Sequence, residues 1–299
     1  MAYKSGFVAI IGRPNVGKST LLNKILGQKI VIISEKVQTT LKRIKGIYTS
    51  EKGQIIFIDT PGIHKPIHKL GEFLLDEAKL AIPDSDLILF LVDGTEKAGN
   101  GDRWIVENLL KTDIPIIMVV NKVDKIKQLK IRDENIESYK DLFKEKIIPV
   151  IKISAKTGRN IDDLVKNIYR KLPKGPQYYP DTEVTDQSTR LIVGEIIREK
   201  ILTNTYEEIP HSVAIAIDFY EEKTNLTKIS ANIFVEHESQ KGIIIGEKGL
   251  MLKKIGTEAR IEIENLLEKK VFLELFVKVK KDWRKKERDL KEFGYSSLY

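Results

Sequence analysis

The sequence predicts an α/β chain in two parts, a parallel-sheet domain built around a phosphate-binding loop and a smaller α+β domain. Three observations predict it. Up to about residue 171, short apolar runs alternate with longer amphipathic segments, the signature of parallel strands joined by helices. A glycine-rich motif at 12–19 (GRPNVGKS) follows the first apolar run and opens a helical one. Residues 171–188 (KLPKGPQYYPDTEVTDQS) hold three prolines and no helical or strand period, which marks a boundary. At 299 residues the chain is long enough for two domains, each with its own core.

Strands are expected at 7–11, 54–59, 87–93, 116–121 and 150–154, each ending at a polar or glycine-bearing motif. In an open parallel sheet the ligand crevice lies beyond the carboxyl ends of the strands, so these motifs converge on one site. Past the boundary the order is α-β-β-α-α-β. A helix is expected at 189–203, strands at 213–219 and 226–235, a helical region broken by a glycine loop, and a last strand at 271–279. The expected limits are 1–175 for the first domain, 176–188 for a linker, 189–281 for the second domain and 282–299 for a basic tail.

Fifty-one basic against 43 acidic residues give a net charge of +8. Residues 241–299 carry 15 Lys and Arg against 10 Asp and Glu, so much of the excess sits at the C-terminal end. A polyanion is one reading of this surface, a solvated face the other. The absence of cysteine removes disulfides, thiolate zinc sites and cysteine nucleophiles, and fits a reducing cytoplasm. No apolar run approaches the ~20 residues that span a bilayer, which leaves peripheral attachment open.

The glycines of 12–19 let backbone N–H groups curl around a β-phosphate at a helix N-terminus. Gly12, Asn15, Val16, Gly17, Lys18, Ser19 and Thr20 form this cradle, with Lys18 on the β and γ oxygens and the Ser19 hydroxyl on Mg²⁺. Asp59-Thr-Pro-Gly62 ends a strand beside the first, which brings the Asp59 carboxylate near the metal through water and lets the Gly62 N–H reach the γ-phosphate. Alone, this tetrapeptide is an ordinary turn. Asn121-Lys122-Val-Asp124 selects the base: guanine offers two neighbouring donors that a carboxylate such as Asp124 accepts, whereas adenine offers one. Asn121 ties neighbouring loops together and the Lys122 stem lies along the base. Ser154-Ala155-Lys156 ends the fifth strand, where the Ala155 N–H reaches guanine O6. In the polar stretch 34–43 a threonine, Thr40 or alternatively Thr39, completes the metal shell. Lys18, Thr40 and Gly62 are thus the candidate catalytic groups of a GTP-hydrolysing site. His64 and His68 stand four apart but have no third ligand in view.

In the second domain, Gly246-Glu247-Lys248-Gly249 is a G-x-x-G loop between an apolar helical turn and a long amphipathic segment at 250–267. In type II KH modules, which this element order resembles, such a loop clamps four nucleotides of a single strand, with Lys248 and Lys253 adding charge. Lys281, Trp283 and Arg284 interleave a ring with cations, a pattern that suits an RNA strand or a frayed tail.

The four motifs in this order resemble the translation-factor-like small GTPases, and within them the bacterial Era family, over the whole chain. That resemblance implies a P-loop NTPase G domain followed by a type II KH domain. It implies GTP/GDP and Mg²⁺ as ligands and the 3′ end of small-subunit ribosomal RNA in the 30S-type subunit as target. A monomer, with transient contact to the inner face of the membrane, is also implied. Ras-type relatives place a water-orienting glutamine after the glycine of the third motif. This chain has Ile63, which implies slow turnover. Asn15 resembles the asparagine that holds K⁺ in related GTPases. Two other functions stay open on sequence alone: an RNA-binding scaffold with GTP as a structural ligand, and a membrane-surface GTPase.

Overall fold

The structure is a computed structural model and describes residues 2–33, 41, 43–62, 69–144, 146–206, 209–293 and 295. The chain divides into two compact units. In the first, the described elements are β1 (Lys4–Ile11), α1 (Lys18–Leu26), β2 (Ile44–Ser50), β3 (Gly53–Asp59), α2 (Lys69–Leu80, of which Leu74 onward belongs to this unit) and β4 (Leu87–Asp93). They continue with α3 (Asn100–Leu109), β5 (Ile116–Asn121), α4 (Leu129–Lys140), β6 (Val150–Lys152) and α5 (Ile161–Lys171). The sheet order is β2-β3-β1-β4-β5-β6, parallel throughout except for β2.

Why these runs become central strands follows from their two buried faces. Every residue of β3, β4 and β5 is buried, so the sequence reads as continuous apolar runs rather than alternation. Successive side chains feed opposite cores. Val8, Ile10, Phe57 and Leu89 pack with Leu21 of α1 and Leu164 and Ile168 of α5. Ala9, Ile11, Ile58 and Phe90 pack with Ala78 of α2, Ile105 of α3 and Ile136 of α4. The result is a doubly wound sheet whose strand ends open on one edge.

Two features depart from the expectation. The antiparallel β2 (IKGIYTS) is absent from the predicted strands, because its glycine and polar end give it no clear period. The segment 176–186 is not a free linker: the first unit runs through Asp186. Gln54, fully buried, accepts the Tyr178 and Tyr179 N–H groups at 2.8 and 3.0 Å and donates to the Tyr179 carbonyl at 2.8 Å. The Ile47 N–H donates to Val184 O at 2.9 Å, and Lys45 pairs with Asp186 at 3.0 Å. A buried amide needs partners, and this extended segment supplies them.

Among the described residues, the second unit comprises the chain from Gln187 onward together with Ile32, Ile33 and the first five residues of α2, Lys69–Phe73. Its described elements are α6 (Thr189–Asn204), β7 (Ala214–Glu222), β8 (Leu226–Val235), α7 (Glu238–Ile245), α8 (Leu250–Leu267), β9 (Lys270–Val279) and α9 (Glu287–Glu292). Ser188 caps α6, its Oγ accepting the Leu191 N–H. β7 pairs antiparallel with β8, and β8 parallel with β9. Ile197 and Ile201 of α6, Ile229 and Ile233 of β8, and Ile255 and Ile263 of α8 form the core between helices and sheet.

The predicted basic tail is another correction. Residues 283–285 form a 3₁₀ turn that leads into α9, and Trp283, Leu290, Phe293 and Tyr295 are buried. Apolar residues between the cations hold this segment down, which net charge alone does not reveal.

Candidate nucleotide and nucleic-acid sites

β1 delivers the phosphate loop to the open edge of the sheet, and α1 begins at Lys18 directly after Gly17. Gly17 has φ 101°, and a Cβ there would lie 2.4 Å from Asn121 Nδ2, so neither the backbone nor the space admits another residue. Asn15 is exposed in the left-handed region at φ 62°. Lys18 is buried, and its Nζ donates to Gly12 O at 3.1 Å and Arg13 O at 3.0 Å. Burial lowers its pKa to about 8, against the opposing pull of Asp59.

The register of β1 against β3 pairs Ile10 with Asp59, which sets the third motif beside the loop. Ser19 Oγ donates to Asp59 Oδ2 at 2.9 Å. A hydroxyl and a carboxylate side by side are a hard-oxygen donor pair that fits Mg²⁺, an ion that takes few protein ligands and shares the rest with phosphates and water. No cluster of three or more His, Asp or Glu able to hold a metal occurs among the described residues. Thr60 was not singled out from sequence. It is fully buried, and its hydroxyl donates to Ile10 O at 2.8 Å, pinning the turn to β1. A Cβ on Gly62 would meet Pro14 N and Cα at 2.8 Å, so this glycine lies directly against the phosphate loop. Thr39, Thr40, Ile63, His64 and His68 lie outside the described residues.

The base end is organised by Asn121, 2% exposed. Its Nδ2 donates to Val16 O at 2.8 Å and its Oδ1 accepts the Ala155 N–H at 2.9 Å, so one side chain ties the phosphate loop, the 121–124 motif and the 154–156 motif together. That bond qualifies the reading of Ala155, whose N–H is engaged by Asn121 rather than directed outward to guanine O6. Lys122 is left-handed at φ 62°, and its Nζ reaches Asp93 Oδ2 at 2.5 Å. Burial pushes the Asp93 carboxyl up, but Lys122 and Thr95 outweigh it and hold the group below the usual range. Asp93, at the end of β4, thereby fixes the Lys122 stem. It had no motif to mark it. Asp124 is exposed beside this frame, while Ser154 is fully buried and Lys156 exposed.

In the second unit, Gly246, Lys248 and Gly249 have φ of 73°, 50° and 77°, and form a tight loop between α7 and α8. Glu247, Lys248 and Lys253 are exposed around it. Of the preceding apolar residues, Ile244 is core and Ile243 is 51% exposed. Trp283 is a correction: it is fully buried and its Nε1–H donates to Ser212 O at 3.0 Å. Its ring stacks on Tyr295 and meets Phe293 edge-on, so no face is open to a base. Arg284 is forked on Glu236, with Nε at 2.8 Å, and is bound within the fold. Lys281 alone of the three is exposed.

The geometry agrees with comparisons to known proteins. The family described as "50S ribosome-binding GTPase" matches residues 7–122, and the KH domain family matches 208–284. GTPase Era of Halothermothrix orenii is 49% identical over 296 residues, covering 99% of both chains. GTPase Era of Rippkaea orientalis is 54% identical over 293 residues, covering 98% of this chain and 93% of its own. Among solved structures, Era in complex with MgGDPNP and nucleotides 1506-1542 of 16S ribosomal RNA superposes with a TM-score of 0.94 at 42% identity, covering 98% of this chain and 99% of the other. A variant of Aquifex aeolicus Era bound to GDP.AlF4- gives a TM-score of 0.93 at 42% identity, with the same coverage. The phosphate loop, the Asn121–Asp124 motif at the end of β5, the G-x-x-G module and these full-length matches converge: the chain belongs to the Era family of GTPases.

Proposed function

We infer that the chain is a GTP-hydrolysing RNA-binding switch that acts in assembly of the small ribosomal subunit by holding the 3′ end of its ribosomal RNA. The observation that carries this reading is the full-length likeness to Era in complex with MgGDPNP and 16S RNA. It is supported by an intact Lys18, Ser19 and Asp59 set and an exposed G-x-x-G loop in this chain.

In this reading Lys18 leaves the Gly12 and Arg13 carbonyls for the β and γ oxygens of GTP, where its charge gains a partner. Ser19, Thr40 and, through water, Asp59 would hold Mg²⁺, which would supply positive charge to the same oxygens. The Gly62 N–H donates to the γ-phosphate. Water attacks γ-phosphorus, the bond to the β-γ bridging oxygen breaks, and GDP and phosphate leave. Ile63 offers no group to orient that water, so turnover is slow. Asn15, exposed in the phosphate loop, would hold a K⁺ ion, which would supply charge that an arginine supplies elsewhere. Faster hydrolysis in potassium than in sodium buffer is expected, and equal rates remove the ion from the mechanism.

Asp124 selects guanine and the Lys122 stem, held by Asp93, lies along the base. RNA passes over Gly246 to Gly249 and Lys253, with Lys281 contributing charge. No described helix is long and apolar enough to cross a membrane. We place the protein in the cytoplasm as a monomer, with transient peripheral contact to the inner membrane face. Multiple-turnover phosphate release that disappears in Lys18→Ala and Asp59→Ala tests the enzyme. No release from the native chain contradicts it and leaves GTP as a structural ligand.

A further inference from the structure

The phosphate loop carries an arginine that neither the motif nor the proposed hydrolysis uses. Arg13 Nε lies 2.8 Å from Asp102 in α3, and Nη2 lies 2.6 Å from Glu96 Oε1. Asp102 is fully buried and also accepts the Gly99 N–H at 2.9 Å, so the carboxylate is fixed at the start of α3. Gly101 lies under the arginine stem, where a Cβ would come within 2.9 Å of Arg13 Cδ. A charged pair with one partner buried and bonded on both sides is a rigid joint rather than a solvated surface contact.

The backbone at this joint meets the two groups assigned to the γ-phosphate. The Arg13 carbonyl accepts from Lys18 Nζ at 3.0 Å, and the adjoining Pro14 is the residue against which Gly62 lies. We propose that Arg13, anchored on Asp102, is a positioning residue that holds the outer lip of the phosphate loop where Lys18 and Gly62 can both meet the γ-phosphate. The proposal rests on the assignment of Lys18 and Gly62 to that phosphate. Its consequence is selective: GDP lacks the γ-phosphate, so the joint matters for GTP and for hydrolysis more than for GDP. A displacement of the lip by about 1 Å is enough to slow a positioned reaction by up to ~100-fold.

The test uses the full chain carrying Arg13→Ala, Arg13→Lys or Gly101→Ala, with thermal melting to confirm folding. Binding of GDP and of a non-hydrolysable GTP analogue is measured together with single-turnover hydrolysis. Arg13→Ala is expected to weaken the GTP analogue and slow hydrolysis by about tenfold or more while GDP affinity changes less than about threefold. Arg13→Lys, which keeps the charge but not the fork, recovers part of both. Gly101→Ala keeps both charges and favours the helix, yet displaces the stem and gives the same selective loss, smaller in size. Equal loss of GDP and GTP analogue, or no change in either, overturns the proposal. A native chain that binds GTP but never hydrolyses it overturns the enzyme reading instead, and the two failures are separable.

Discussion

In the nucleotide unit Lys18, Asp59, Thr60 and Asn121 are nearly or wholly buried and already bonded to backbone or to one another. In the second unit Glu247, Lys248 and Lys253 stand exposed around a loop of left-handed residues. The contrast follows from the ligands. A small ligand that must be distinguished by one base edge and one phosphate rewards a pre-formed, water-poor frame in which a missing partner carries a desolvation penalty. A polymer that must slide in and leave rewards an open charged loop with a salt-dependent grip. Single substitutions should therefore act steeply in the first unit and gradually in the second, unless they strike the second unit's core.

The largest effect is expected from Lys18→Ala, which removes charge from the transferring phosphoryl group. Phosphate release should fall by about 100- to 1,000-fold, and RNA binding measured by filter retention should persist. Trp283→Ala is next and tests the corrected role of this residue. It empties a buried site and removes the donor to Ser212, so stability should drop by ~3–5 kcal/mol, read as a lower melting transition of the second unit. Were Trp283 a stacking residue, melting would be unchanged and only RNA affinity would fall.

Asn121→Ala leaves the Val16 carbonyl and the Ala155 N–H without their shared partner. At ~1–3 kcal/mol for a buried polar group left unpaired, GDP affinity should weaken by roughly 5- to 150-fold. The titration of Lys18 sharpens the same point. Its pKa in the free protein is about 8 and rises beside a polyphosphate, so nucleotide binding takes up a proton at higher pH. Affinity should be flat below pH 8 and weaken as pH climbs above it, by at most ~tenfold per unit. The trend should vanish in Lys18→Arg, whose charge does not titrate. Lys248→Ala, the smallest effect, should weaken RNA binding a few-fold and reduce the salt slope by about 1.

How much of this was legible in the sequence divides along the same line. The strands at 54–59, 87–93 and 116–121 match β3, β4 and β5, because full burial leaves an unbroken apolar run and a motif marks where each stops. The loop-bridging role of Asn121 was readable for the same reason. The antiparallel β2 was missed because its stabilisation comes from partners on either side, Val184 and Thr185 among them, rather than from its own period. Arg13 and Asp102 are 89 residues apart, and no local pattern links them. Trp283 misled because a ring between lysines has the same spacing in a nucleic-acid contact and in a capped, buried turn. Only the hydrogen bond to Ser212 and the rings of Phe293 and Tyr295 separate the two.

The central claim is that one unit reads GTP while the other holds the 3′ end of the small-subunit ribosomal RNA. Crosslinking the full chain to cellular RNA with GTP or GDP loaded, followed by sequencing of the bound fragments, tests it most directly. Fragments concentrated at that 3′ end, and lost in Gly249→Asp while GTP turnover persists, are the predicted result. Fragments spread evenly over cellular RNA, or unaffected by Gly249→Asp, would contradict it.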